Sequence, residues 1–202
     1  MKLLRYKNFI KESKEDIDYI SGDIKRKCKK FGIKNYTINE DSTIDVDGNV
    51  YLRNKGLTKI PLKFGKVSGY FDCSFNKLIS LSGAPLSVGR GFYCFNNQLK
   101  SLSGISGRIS GGIYCYNNQL RDVKGVKDGW LGEFSVVGNP VHEIFKLFPK
   151  DKWDEVIEIL NEYEVIRDDG NLVILQRLEQ VFLELGLEVP EIEEIKGYKI
   201  HF

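Results

Sequence analysis

The sequence predicts an α/β repeat fold: a solenoid built on a parallel sheet, closed at one end by a helix plus hairpin and at the other by helices. Three observations predict it. Cys73, Cys94 and Cys115 are spaced by 21 and 21 residues, and Val136 continues the series. The residues around them keep the same step, and a fixed period of this length marks stacked repeat units. The stretches on either side lose the repeat and take up helical periodicity.

Taken in order, residues 13–31 carry Ile17, Ile20, Ile24, Cys28 and Phe31 on one helical face, with Gly32 as the stop and Gly22 as an internal weak point. Tyr36–Ile38 and Thr43–Val46 read as strands, and Asp47-Gly48 as the turn before Val50–Arg53. Full copies then follow, typified by Phe92-Tyr93-Cys94-Phe95-Asn96-Asn97-Gln98-Leu99, with an earlier degenerate copy from Val50 to Leu57. Leu81, Leu102, Val123 and Ile144 keep register, as do Val67, Val88, Ile109 and Trp130; Gly83, Gly104 and Gly125 mark one shared bend. Strands are expected at 50–53, 71–74, 92–95, 113–116 and 134–137. Asp151 begins a helix through Trp153, Val156, Ile157 and Leu160. A second follows Asp168-Asp169-Gly170 with Leu172, Leu175, Leu178, Val181, Phe182 and Leu185, and Lys196–Phe202 reads as a final strand. The organisation is therefore 1–42 as N-terminal leader and helical end, 43–148 as repeats, and 149–202 as the acidic helical end.

The apolar-x-apolar-x-x-Asn-x-Leu pattern resembles the leucine-rich repeat in its short bacterial form, over about half of the chain. Cys or Phe stands where Leu is usual, and the return segment is rich in Gly and Ser. The resemblance implies an asparagine ladder. Stacked strands put Phe71, Phe92, Ile113 and Phe134 inside together with the cysteines. Asn76, Asn97, Asn118 and Asn139 then satisfy backbone groups where the chain leaves each strand. The Gly/Ser-rich return predicts turns rather than helices on the far side.

Alternation in a strand places the neighbours of the cysteines on the opposite face. One row is Tyr51, Asp72, Tyr93, Tyr114 and Ser135; the next is Arg53, Ser74, Phe95, Tyr116 and Val137; a third is Asn54, Phe75, Asn96, Asn117 and Gly138. The candidate partner-binding residues are Tyr51, Arg53, Asp72, Phe75, Tyr93, Phe95, Tyr114 and Tyr116. A monomer seldom leaves so much ring surface in water, and such rings are common in binding hot spots. The same rings would also serve to stack on one another and hold neighbouring strands, or be covered by a flanking segment or a second copy.

Catalytic chemistry finds no footing. His142 and His201 have no Ser or Cys partner at a recognisable spacing, and no phosphate-binding glycine loop is present. The cysteines lack the paired spacing of zinc sites and read as small buried apolar residues. The expectation is therefore a non-enzyme with no cofactor and no metal. No run of about 18 apolar residues is present, so no membrane-spanning helix is expected. The start lacks a secretory signal pattern, and cytoplasmic location fits the free cysteines. Net charge is +2, but residues 150–202 hold 6 Lys/Arg against 14 Asp/Glu. That acidic part could meet a basic surface or serve as solvated helix faces.

Met1-Lys2 and Tyr6-Lys7-Asn8-Phe9-Ile10-Lys11-Glu12-Ser13 resemble the short leaders of proteins packaged inside tailed-phage heads, with Ile10-Lys11-Glu12 as the cleavage triplet; an ordinary basic tail is the alternative. The whole layout is similar to repeat proteins common in phage genomes. These resemblances imply a phage-encoded protein; with the ring rows, the expectation is a module that binds a protein on its aromatic concave face, a host or defence factor being one candidate partner. The alternatives are a virion-packaged protein released into the host, or a single-stranded nucleic-acid binder using the rings and the cluster Lys25, Arg26, Lys27, Lys29 and Lys30.

Overall fold

The computed structural model describes residues 18–105, 107–126, 132–167 and 170–202. Residues 18–31 are helical (α1). Ile24 and Cys28 bury that helix against the core, whereas Ile20, expected on the same face, is exposed. Strands β1 (Tyr36–Ile38) and β2 (Ile44–Val46) pair antiparallel with Thr37 opposite Asp45.

From there the chain alternates between two sheets. The successive strands are β3 (Val50–Tyr51), β4 (Phe64–Val67), β5 (Phe71–Asp72), β6 (Ser87–Val88), β7 (Phe92–Tyr93), β8 (Arg108–Ile109), β9 (Ile113–Tyr114) and β10 (Phe134–Ser135). One sheet is wholly parallel, in the order β3-β5-β7-β9-β10. Its register runs Val50, Phe71, Phe92, Ile113, Phe134, each opposite the next. Backbone bonding continues past the two-residue strands: the amides of Cys73 and Phe75 donate to the carbonyls of Tyr93 and Phe95 at 2.8 and 3.0 Å. The stacked coils, one every 21 residues, thus form a parallel-sheet solenoid.

The return side differs from expectation. A second sheet, β1-β2-β4-β6-β8, runs along it, parallel except for the β1–β2 pair. Val67, Val88 and Ile109 project from it into the core. The sequence reads as turns there because each strand is only two to four residues long and is flanked by Gly and Ser. Trp130, placed in the same series, lies outside the described residues. The shared bend is where it was expected: Gly104 has φ of +118°, and a Cβ there would lie 2.9 Å from the backbone of Leu81.

The asparagine ladder joins the coils from within. Asn97 accepts from the Leu78 amide at 2.9 Å and donates to the carbonyls of Cys73 and Cys94 at 3.1 and 3.0 Å. Asn118 and Asn139 repeat the pattern one and two coils on. The result is a core that runs without a break from Ile24 to Ile195.

After the last coil come α2 (His142–Phe145), a 3-10 turn at Lys150–Lys152, and α3 (Trp153–Glu162). Next are β11 (Ile166–Arg167), β12 (Leu172–Ile174), α4 (Leu175–Glu184) and β13 (Lys199–His201). Strand β12 pairs antiparallel with β11 and parallel with β13. Leu172 therefore belongs to a strand and not to the following helix, while Asp168 and Asp169 lie outside the described residues. This segment is tied to the solenoid: Trp153 Nε1 donates to the Phe145 carbonyl at 3.1 Å, and the Tyr198 hydroxyl donates to the Arg121 carbonyl at 2.8 Å.

Candidate functional site

The outward face of the all-parallel sheet carries the candidate residues in the rows that strand alternation requires. In the first row, Tyr93 and Tyr114 lie one strand apart with ring centroids at 4.8 Å and planes 5° from parallel. In the second, Phe95 and Tyr116 stack at 4.3 Å and 14°. The two rows meet edge to face, with Tyr93 and Phe95 at 6.4 Å. Glycine makes the first stack possible. The Tyr93 ring folds back over Gly91, where a Cβ would sit 3.0 Å from it, and Tyr114 lies over Gly112 in the same way.

The third row is set by backbone conformation. Asn54, Phe75, Asn96 and Asn117 have φ between 51° and 54°, and Gly138 completes the series at 76°. Asn and Gly tolerate this left-handed region, whereas a bulky ring does so at a cost. Phe75 is held by its contacts: its ring stands edge-on to Phe95 at 5.2 Å, and the Arg53 guanidinium carbon lies 4.1 Å from its centre.

Arg53 also reaches the next coil, donating from Nη1 to Ser74 Oγ at 3.1 Å. Ser74 in turn donates from both its amide and its hydroxyl to Asp72 Oδ1. These contacts orient the carboxylate beside a cleft of about 390 Å³. The cleft is lined by Tyr51, Arg53, Tyr70, Asp72, Tyr93, Phe95, Tyr114 and Tyr116. Seven of the eight candidate residues are thus brought together, and Phe75 packs beside them without lining the cleft. Tyr51 is 57% exposed, while Phe95 is only 7% exposed and forms the floor under its neighbours.

Tyr70 was not among the candidates. It stands one position before the strand, in the row that holds Gly91 and Gly112, and its ring lies 5.9 Å from that of Tyr93. Its signal was a lone aromatic where the two following copies have glycine. Burial raises the Tyr93 phenol above its ordinary pKa, and Tyr114, Tyr70, Asp72 and Tyr51 add to the effect. The hydroxyl therefore stays protonated at neutral pH and able to donate.

The other candidate chemistries are dispersed. Cys73, Cys94 and Cys115 are fully buried and free, and burial pushes their thiols well up, so they stay neutral. Among the described residues no group of three His, Cys, Asp or Glu converges as metal ligands. His142 packs edge-on to Trp153 at 6.0 Å, and desolvation lowers its pKa. No helix among the described residues is long and apolar enough to cross a membrane. The leader-like residues 1–13 lie outside the described residues.

The fold and this face define a class, a parallel-sheet solenoid of 21-residue coils with a ring-lined cleft on one sheet. Set against known proteins, the chain matches no family model, no curated protein and no solved structure.

Proposed function

We propose that the chain is a non-enzymatic protein-binding module of leucine-rich-repeat type, in which 43–148 are the repeats and the flanking segments cap the two ends. Its partner docks on the ring-bearing sheet face, and the Cys/Asn/Gln-rich copies suit a phage-encoded protein acting in the host cytoplasm. The observation that carries the reading is the pair of face-to-face ring stacks beside an open cleft. Rings already immobilised by one another lose little entropy when a partner covers them.

The same stacking favours a protein over single-stranded nucleic acid. Bases bind by lying on free ring faces. Here Tyr93 and Tyr114, like Phe95 and Tyr116, each turn one face towards the other, so those faces are closed to a base.

A photo-crosslinking phenylalanine analogue at Tyr51, compared with one at Lys66 on the second sheet, tests this in cells that contain the partner. The expected result is one discrete protein adduct from position 51, absent from position 66 and lost on adding Tyr114→Ala and Tyr116→Ala. The same adducts from both positions, or an adduct indifferent to the two truncations, would overturn the reading.

A further inference from the structure

The two ends of the solenoid carry opposite chemistry. At the first end, α1 and the bends of the first two coils leave a groove of about 560 Å³ between them. Tyr19 and Ile20 line it from α1 and are 72% and 43% exposed. Ile60 and Pro61 line it from the first coil, with Lys59 and Lys63 exposed on either side of them in the chain. Neither lysine forms a salt bridge among the described residues, and Lys63 acts on Asp41 only at a distance. Asp23, a carboxylate that also lines the groove, is taken by Arg26 and Lys27. The groove is therefore apolar with a positive rim.

At the last end, the run Glu188-Val189-Pro190-Glu191-Ile192-Glu193-Glu194 crosses the surface in neither helix nor strand. It is pinned on both sides, by the Leu187 amide on the Phe182 carbonyl at 2.9 Å and by the buried Ile195. Just beyond, Arg121 Nη1 on the last coils donates to the Gly197 carbonyl at 2.8 Å. Between the pins, no backbone group of the run bonds to another backbone group among the described residues. Its four carboxylates are exposed and form no salt bridge among those residues either. Val189 stands 38% exposed among them. The run is thus acidic, with an apolar residue and a proline at its centre.

We infer that the groove takes this acidic run from a second copy of the chain, so that copies join head to tail. Val189 and Pro190 enter against Tyr19, Ile20 and Pro61, and the carboxylates meet Lys59 and Lys63 at the rim. Burial of exposed apolar surface drives the contact, and opposite charges fix its direction. A copy does not fill its own groove: its run is pinned at the coil of Arg121, three 21-residue steps beyond that of Ile60. The segment before α1 is next to the groove in sequence, but residues 1–17 carry five Lys/Arg against three Asp/Glu and suit a positive rim poorly. The contact is heterologous, so it closes into a ring or continues as a chain. It uses neither ring row, and a chain of copies would present the docking face repeatedly to a repeated partner.

The test is sedimentation velocity on the full chain. So small an interface gives a weak complex, so the protein is taken up to about 1 mM in low salt. Dimers and longer species are expected there, falling back towards monomer at about 1 M salt, where charges are screened beyond about 3 Å. Two variants change only exposed side chains and should melt with the wild type: Ile20→Ser, Lys59→Gln, Lys63→Gln in the groove, and Val189→Ser, Glu191→Gln, Glu194→Gln in the run. Each alone is expected to associate at least about tenfold more weakly. Mixed, they are expected to form a one-to-one dimer and nothing longer, because one keeps the run and the other keeps the groove. Monomer at every concentration, undiminished association of either variant, or a mixture that stays monomeric would each overturn the contact. Association that vanishes with Tyr93→Ala and Tyr116→Ala would overturn it in favour of the ring face. Association that appears only after residues 1–12 are removed would overturn it in favour of that segment as the occupant.

Discussion

Replacing Asn97 by alanine removes four hydrogen bonds, one of them a long contact to the Phe95 carbonyl, which also receives the Phe75 amide, and their loss is not equally felt. The Cys73 carbonyl also receives Asn76 Nδ2 at 3.0 Å, and the Cys94 carbonyl also receives Asn118 Nδ2 at 3.1 Å. Each keeps one partner in the variant. The Leu78 amide donates to Asn97 Oδ1 at 2.9 Å, and with both residues buried it has no replacement partner among the described side chains. A buried amide without a partner costs about 1–3 kcal/mol. We therefore expect a loss of about 2 kcal/mol, which for a chain of this size lowers the melting temperature by about 4–8 °C. The control is Asn96→Gly, one residue earlier. Asn96 has φ of 51° and makes its side-chain bond to Asn117 at the surface, so glycine keeps the backbone geometry and should change stability by no more than about 0.5 kcal/mol. Thermal or urea unfolding of the two variants settles it. A loss for Asn96→Gly as large as for Asn97→Ala would refute the division into a buried ladder and an outer one.

Glycine gives a paired outcome of opposite sign. Gly22→Ala, on α1 with open space around it, should stabilise by about 0.5–1 kcal/mol, whereas Gly104→Ala, at positive φ against the Leu81 backbone, should destabilise by more than that, as read by melting temperature. At position 75, alanine keeps the left-handed strain and loses both ring contacts, while asparagine loses the contacts but fits the backbone; Phe75→Asn should unfold at higher denaturant than Phe75→Ala. Cys94 is fully buried with its thiol pKa pushed up, so iodoacetamide should label it only as fast as the chain unfolds, measured by mass spectrometry across a denaturant series.

Much of this was written in the sequence because one physical demand recurs every 21 residues. A buried position that must both donate and accept admits few residue types, so Asn76, Asn97, Asn118 and Asn139 reveal the coil exit directly. The left-handed row shows the same way through Asn and Gly. What escaped had weaker or shared signals. Two-residue strands such as Ser87–Val88 have no period of their own to read, and Leu172–Ile174 merges into the apolar pattern of the helix after it. Strand alternation correctly puts Phe95 on the ring face, yet it says nothing of how deeply Arg53, Phe75 and Tyr116 would cover it. Tyr70 escaped because its role depends on the ring of Tyr93 in the next coil.

The central claim, that the ring face is a docking surface, is tested most directly with the crosslinked partner in purified form, by its affinity for the wild type and for the Tyr93→Ala, Tyr116→Ala double variant. Tyr116→Ala removes one stacked ring pair and Tyr93→Ala one stacked pair with two edge or tilted contacts, each pair worth about 0.5–1.5 kcal/mol of fold stability, so the variant should remain folded at a lower melting temperature. Loss of even one central hot-spot ring weakens binding by about 2 kcal/mol or more, which is roughly thirty-fold. The account predicts at least that loss in Kd from a folded variant. An unchanged Kd from a well-folded variant would contradict it and move the partner elsewhere on the chain, while collapse of the fold would show that the rings serve to hold the sheet together.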